Sequence, residues 1–81
     1  FEGHRALGSV LLERGDYDLA AREYEVLVAL KVPDLANTYF NLASAEFGAG
    51  RIAEARRSIL RCLEIAPSFE AAQELLLRIV R

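Results

Sequence analysis

The residues best suited to acid–base or nucleophilic chemistry occur singly in this chain. There is one histidine, His4, and one cysteine, Cys62. A catalytic histidine works with a neighbouring nucleophile, and no carboxylate–serine or carboxylate–cysteine set stands beside His4, so we expect a partly exposed histidine at a helix end. Cys62 falls at a small-residue position of an apolar stripe, which predicts a buried, inert thiol. We therefore predict no enzyme activity and no catalytic residue.

The charged residues are better suited to binding than to catalysis. Arg56, Arg57 and Arg61 form a basic cluster that Glu54 and Glu64 flank. Mixed charges so close together favour a solvated face, and an acidic partner is the less favoured interpretation. A net charge of −2 argues against nucleic acid as the partner, because binding a phosphate backbone needs a surplus of Lys and Arg.

Length and composition limit the class of protein. The 81 residues fit one small domain, and a hydrophobic fraction of 53% argues against disorder. A single cysteine and a single histidine exclude a disulfide framework and the usual zinc sets, so no metal and no cofactor are implied. No signal segment or membrane-spanning run is present. The chain opens on Phe1, which indicates a fragment of a larger protein, and leaves the compartment unknown with the cytoplasm as default.

Glycine and proline divide the chain into five predicted helices, so the predicted fold class is all-α. The segments between the breaks are rich in Ala, Leu, Glu and Arg, and short breaks make neighbouring helices antiparallel. No segment alternates with the period of a strand. The predicted helices cover about Gly3–Arg14, a segment capped by Asp16 and ending near Lys31, a segment that starts after Pro33-Asp34 and ends near Phe47, about Ile52–Ile65, and a segment that Ser68 caps.

Two of these helices carry apolar stripes that repeat along the chain. The stripes are Ala20, Tyr24, Leu27, Val28 and the stem of Lys31 in the second helix, and Ile52, Ala55, Ile59, Cys62 and Leu63 in the fourth. Shifting the sequence on itself by 35 residues superposes them. That shift places Leu7 on Leu42, Gly8 on Ala43, Gly15 on Gly50, Tyr17 on Ile52, Ala20 on Ala55 and Tyr24 on Ile59.

These positions resemble the tetratricopeptide repeat (TPR), a helix–turn–helix unit of about 34 residues. The matching residues are Leu7, Gly8, Gly15, Tyr17, Ala20 and Tyr24 in the first copy, and Tyr39, Leu42, Ala43, Gly50, Ala55 and Pro67 in the second. His4, Leu11 and Glu46 depart from the aromatic residues expected at their positions. The resemblance implies one domain over 1–81, with a first repeat over about 1–34, a second over about 35–68, and a capping or third-repeat helix over about 69–81.

The resemblance also implies a function, which is non-catalytic protein–protein interaction through a concave groove lined by the first helix of each unit. The groove positions fall on Arg5, Ser9, Leu12, Asn37, Phe40, Asn41, Ser44, Phe47, Glu74 and Arg78. Two phenylalanines among amide, hydroxyl and guanidinium groups suit an extended or helical peptide with an apolar anchor. The competing interpretation is that Phe40 and Phe47 pack between neighbouring units.

One specialised form of this binding is a poor match. Some TPR proteins hold a chaperone's C-terminal carboxylate in a clamp of Lys and Asn residues. Asn41 occupies one clamp position, but Arg5 and Ser9 stand where Lys and Asn would be, and Ala71 and Leu75 stand where Lys and Arg would be. We therefore do not expect that mechanism.

Two alternative functions stay open, and the last helix suggests one of them. Its apolar face consists of Phe69, Ala72, Leu75, Leu76, Ile79 and Val80, and Leu77 widens it. Such a face predicts burial on more than one side, against further repeats or against another copy of the chain. Self-association through this helix would make the chain an oligomerisation element. A separate alternative, which does not depend on this helix, is an accessory docking domain of a larger enzyme or secretion component.

Overall fold

The computed structural model describes residues 2–81, and the regular structure in that part of the chain is entirely helical. The five helices are α1 (Glu2–Arg14), α2 (Tyr17–Ala29), α3 (Leu35–Gly48), α4 (Ile52–Ile65) and α5 (Glu70–Val80). Each helix packs against the next along the chain. The result is two helical hairpins, α1–α2 and α3–α4, closed by α5, and it confirms the predicted all-α repeat fold. Within residues 2–81, no helix has both the length and the apolar character needed to cross a membrane.

The first helix of each hairpin ends in the same way. Gly15 and Gly50 have φ angles of +82° and +80°, a left-handed conformation that glycine adopts without steric cost. In each case the next residue's N–H reaches back five residues, from Asp16 to the Leu11 carbonyl at 2.9 Å and from Arg51 to the Glu46 carbonyl at 2.8 Å. These bonds satisfy carbonyls that the helix end would leave open, so each turn closes within two residues.

The end of α2 lies earlier than the sequence pattern predicts. We expected the helix to continue to about Lys31, but it ends at Ala29, and Lys31 takes a φ of +53°. The cause is Val32, which is only 1% exposed and whose N–H donates to the Leu27 carbonyl at 3.4 Å. Drawing Val32 into the core forces a left-handed turn on a residue with a Cβ, and the Lys31 side chain is left exposed.

The start of α5 also differs from the prediction. Ser68 was expected to cap this helix, but the N-cap residue is Phe69, whose ring stacks on Phe40 with 5.1 Å between the ring centroids. The Gln73 side chain donates instead to the Pro67 carbonyl at 2.7 Å. Asp16 does occupy the N-cap position of α2, although its side chain makes no capping hydrogen bond. Apolar packing of Phe69, rather than the Ser68 hydroxyl, fixes where α5 begins.

The core consists of two hydrophobic clusters, of which the first joins α2 to α3 and the second joins α4 to α3 and α5. Tyr24 and Leu27 are buried in the first, and Ile59 and Cys62 are buried in the second, as their stripes predict. The stripe prediction is wrong at Ile52, which is 43% exposed. That residue opens α4 at the far edge of the array, where no element among residues 2–81 covers it.

Small residues hold the helices together at the predicted positions. Gly8, Ala20, Ala43 and Ala55 are all buried. At Gly8 the two helices approach closely, since a methyl group there would lie 3.0 Å from Cζ of Tyr24. The two hairpins thus bring their backbones together at equivalent places, and this fixes which faces of α1, α3 and α5 stay open.

Candidate functional site

A hollow of 390 Å³, here called the proximal hollow, opens between α1 and α3. Arg5, Ser9 and Leu12 line it from α1, and Asn37 and Asn41 line it from α3. The remaining lining residues, which belong to its floor and rim, are Glu13, Tyr24, Leu27, Asp34 and Thr38. The structure therefore gathers four of the polar groove positions around one space.

A second hollow of 430 Å³, the distal hollow, lies where α1, α3 and α5 come together. Its walls include Ser44 and Phe47 from α3, and Leu75 and Arg78 from α5. Leu12 lines both hollows. The two hollows are therefore neighbours along one groove, which has two asparagine amides at the end beside Asn37 and an aromatic ring with a guanidinium at the end beside Phe47.

The polar groups of the groove differ in whether they are already hydrogen-bonded. Ser44 donates its hydroxyl to the Phe40 carbonyl at 3.0 Å. Arg5 lies 3.3 Å from the Glu2 carboxylate. Asn37 and Asn41 are one helical turn apart on α3, and neither side chain makes a hydrogen bond to another residue within residues 2–81. Two amides with this spacing can each offer a donor and an acceptor to a bound chain.

The two phenylalanines of the predicted groove have different surroundings. Phe40 packs against the second core cluster and stacks on Phe69, and it lines neither hollow. Phe47 is half-buried, lines the distal hollow, and carries the Arg78 guanidinium 5.5 Å from its ring centroid. This distance is within the range of a cation–π contact. Glu74 is exposed on α5 and lines neither hollow.

The clamp positions do not form one set. Arg5, Ser9 and Asn41 surround the proximal hollow, whereas Leu75 lines the distal one. Ala71 is exposed and lines neither. Tyr24 also lines the proximal hollow, where burial raises the pKa of its hydroxyl, an effect that the positive charge of Arg5 opposes in part.

An ion-pair cluster, which the sequence pattern did not reveal, lies where the two hairpins meet. Arg51, in the turn before α4, pairs with Glu54 and lies 3.5 Å from Glu25 and 3.9 Å from Asp18. The Arg51 hydrogen bond lowers the pKa of Glu54. The cluster was missed because its members come from α2, α4 and a turn, and no spacing along one helix relates them.

Glu46 adds a buried carboxyl group to this cluster. It is only 4% exposed, and it accepts a hydrogen bond from the Ser58 hydroxyl at 2.6 Å. Burial raises the pKa of Glu46, while Ser58 and the charge of Arg51 act in the opposite direction. Carboxylate oxygens of Glu25, Glu46 and Glu54 lie within 4.8 Å of one another. The Arg51 guanidinium already supplies a positive charge there, so the arrangement is a structural ion-pair network.

The two residues with catalytic potential are held in structural contacts. His4 Nδ1 lies 2.7 Å from the Glu23 carboxylate, a contact between α1 and α2 that the sequence did not indicate. Cys62 is fully buried in the second core cluster, and burial raises the pKa of its thiol. A thiol in that state is a poor nucleophile, which agrees with the inert role expected for it.

Comparison with known families gives a match over the second hairpin. Residues 36–69 match the family model described as the tetratricopeptide repeat. This match and the five-helix hairpin array agree with a TPR-like repeat fold. Repeats of this family are generally protein–protein interaction modules. No curated protein and no solved structure matches the chain.

Proposed function

We propose that this TPR-like array is a non-catalytic module that binds a peptide segment of another protein in the groove formed by the proximal and distal hollows. The observation that carries the proposal is the adjacency of these hollows through Leu12. Together they offer a path along α1, α3 and α5. A bound segment would meet amides at one end and an aromatic ring at the other.

The polar end of the groove supports recognition of a peptide backbone. Asn37 and Asn41 present amide groups without partners among residues 2–81, and a peptide bond offers one donor and one acceptor to such groups. These contacts are independent of the ligand's side chains. They favour an extended segment, whose backbone groups are free, over a helix, whose backbone groups are already paired.

The end of the groove beside Phe47 supports selection of a side chain. Phe47 and Leu75 form an apolar surface, and Arg78 lies over the Phe47 ring. An apolar ligand side chain seated there loses water-exposed surface, which favours binding. An acidic residue next to that anchor would meet the Arg78 guanidinium. The expected ligand is thus an extended peptide with one apolar anchor and an acidic neighbour.

The proposal is tested by selecting peptides from a phage-displayed random library on the folded chain. Affinities of the selected peptides are then measured by fluorescence anisotropy for the parent and for Asn37→Ala/Asn41→Ala. Each lost hydrogen bond costs about 1 kcal/mol, so we expect about tenfold or greater weakening. Phe40→Ala is unsuitable here, because Phe40 stacks on Phe69 and its removal would disturb the fold.

The matched control is Arg22→Ala/Arg61→Ala, which changes two exposed residues on the second helices of the hairpins. It should leave the affinity of the selected peptides within about twofold, since the groove belongs to the first helices. Circular dichroism establishes that both variants are folded. Equal weakening by both variants, or none by the asparagine variant, would show that the groove is not the binding site.

A role as an accessory docking domain uses the same surface and differs only in the origin of the bound segment. If the segment belongs to a catalytic partner, the groove positions that partner and does no chemistry itself. Self-association through α5 is the other alternative. It is favoured by Leu77, which is 59% exposed on the outer side of that helix.

A further inference from the structure

A third hollow, of 770 Å³, lies away from the groove at the open end of the array and is here called the end hollow. It lies between the start of α4 and the end of α5, and its lining residues are Ile52, Ala53, Arg56, Ile79, Val80 and Arg81. Val80 is 53% exposed, so an apolar surface remains open to water. Neither Arg56 nor Arg81 has an ion-pair partner within the described residues.

The same surface occurs one repeat earlier, where it is covered. Ala53 corresponds to Asp18 and Arg56 to Ala21 by the 35-residue shift. A shift of 34 residues relates α3 to α5. Under this shift Leu76 and Ile79 of α5 pack against the second cluster, as Leu42 and Ala45 of α3 pack in the first. Val80 then corresponds to Glu46, which is buried, and Arg81 corresponds to Phe47.

What covers the internal surface is a helix that brings the opposite charge. Ser58 of α4 reaches Glu46, and Arg51, directly before α4, reaches Asp18. An acidic surface is thus covered by a helix with a basic residue at its start. At the end hollow the signs are reversed, because two arginines flank the apolar residues, and the acidic Asp18 and Glu46 are replaced there by the uncharged Ala53 and Val80.

We propose that the end hollow docks an amphipathic α-helix of a partner protein, with an apolar face and Asp or Glu residues along its edge. The apolar face covers Ile52, Ile79 and Val80, and the acidic edge pairs with Arg56 and Arg81. We infer that the occupant is helical because a helix, α4, covers the equivalent surface inside the array. We infer that it is acidic because the end hollow carries two arginines.

Leu77 bears on whether the helix that covers the end hollow packs on α5 as α2 packs on α1, or docks as a separate helix. It occupies, in α5, the position that Gly8 and Ala43 hold in α1 and α3. In the first hairpin the partner helix comes so close to this position that a methyl group on Gly8 would lie 3.0 Å from the Tyr24 ring. A leucine prevents the same approach, so a covering helix must lie further out, as an independently docked helix can.

The probe for this site derives from α4, the helix that covers the internal equivalent. It is a fluorescein-labelled, side-chain-stapled peptide of residues 51–65 with Cys62→Ala and with Arg51, Arg56, Arg57 and Arg61 all replaced by Glu. The reference peptide keeps the four arginines. At low ionic strength we expect the acidic peptide to bind the full chain about tenfold more tightly than the reference peptide. Salt should reduce the difference.

Three variants of the full chain locate the binding. Arg56→Glu/Arg81→Glu should reverse the preference between the two peptides, and Val80→Asp should weaken both about tenfold. Both variants alter exposed side chains, and circular dichroism checks that they fold. The groove variant Asn37→Ala/Asn41→Ala should bind the acidic peptide as the parent does, which separates this site from the proposed peptide-binding function.

Three results would overturn the proposal. The first is equal binding, or no binding, of the two peptides. The second is a loss of acidic-peptide binding in the groove variant and not in the arginine variant. The third is a dimer in sedimentation velocity that Val80→Asp dissociates, because the end hollow would then be occupied by a second copy of this chain.

Discussion

The two hairpins have the same backbone arrangement, but different pairs of side chains meet where their two helices come closest. In the first, the glycine at position 8 faces the large ring of Tyr24. In the second, Ala43 packs in the cluster that contains Ala55 and Ile59. A glycine is thus matched with an aromatic residue, and an alanine with an aliphatic one. We infer that the size of one residue in each pair offsets the size of the other, so that the pair matters and not either residue alone.

A second difference lies three residues after Gly8 and Ala43, at Leu11 and Glu46. Leu11 of the first hairpin is apolar, whereas the corresponding Glu46 is a buried acid. The second hairpin tolerates this carboxyl group because Ser58 donates to it and Arg51 lies close by. A buried polar group with a hydrogen-bond partner costs far less than one without, so the neighbouring helix decides which residue the position accepts.

The largest expected effect comes from placing a larger side chain at the buried contacts between the helices of each hairpin. Ala20→Leu and Ala55→Leu each add bulk at a fully buried contact, one in each hairpin. We expect each to lower the free energy of unfolding by about 1–3 kcal/mol. The measurement is urea denaturation followed by circular dichroism. Ala29→Leu, the same change at an exposed site on α2, is the control and should cost little. Unfolding curves for the two variants that overlay the parent's would disprove the assigned contacts.

Exchanging the contact pair between hairpins tests the size rule directly. Gly8→Ala crowds Tyr24, and Tyr24→Ile removes ring volume. The double variant Gly8→Ala/Tyr24→Ile gives the first hairpin the pairing of the second. We expect it to be about 1 kcal/mol more stable than the sum of the single changes predicts. The four unfolding free energies of a double-mutant cycle give this coupling, and strictly additive effects would contradict the rule.

The buried carboxyl group of Glu46, in the second hairpin, should make the stability of the chain depend on pH. Burial raises the pKa of Glu46 above its ordinary value of 4.5, so the folded chain holds this proton more tightly than the unfolded chain. Its contribution is therefore fully present below the ordinary pKa and is lost as the pH rises through the raised one. Glu46→Gln keeps an acceptor for Ser58 and does not ionise.

The stability of Glu46→Gln relative to the parent should accordingly increase with pH above about 4.5 and then level off. Urea denaturation at a series of pH values measures the difference. Glu64→Gln, at an exposed site on α4, is the control, and it should change less. A difference that is constant, or that falls with rising pH, would mean that Glu46 is not destabilised by its burial.

The sequence predicted the features that depend on local residues and on the repeat period. The number of helices, the left-handed Gly15 and Gly50, and the small buried residues all follow from residue type and spacing. The groove positions came from the family resemblance, and the structure gathers Arg5, Ser9, Asn37 and Asn41 around one hollow. Their role in binding stays a prediction.

The features that the sequence did not predict depend on contacts between distant residues. The early end of α2 follows from burial of Val32, and the start of α5 follows from stacking of Phe69 on Phe40. Neither is visible in propensities, which assigned Lys31 to a helix and Ser68 to a cap. The Arg51 cluster likewise depends on side chains from separate elements, which only the folded arrangement brings together.

Arg51 also bears on how the repeats depend on each other. By sequence it belongs to the turn of the second hairpin, yet Asp18 and Glu25, two of its acidic neighbours, belong to the first. Opening the seam between the hairpins would separate those charges and expose Glu46 at the same time. Because the junction couples neighbouring units, we expect the array to melt as a whole rather than hairpin by hairpin.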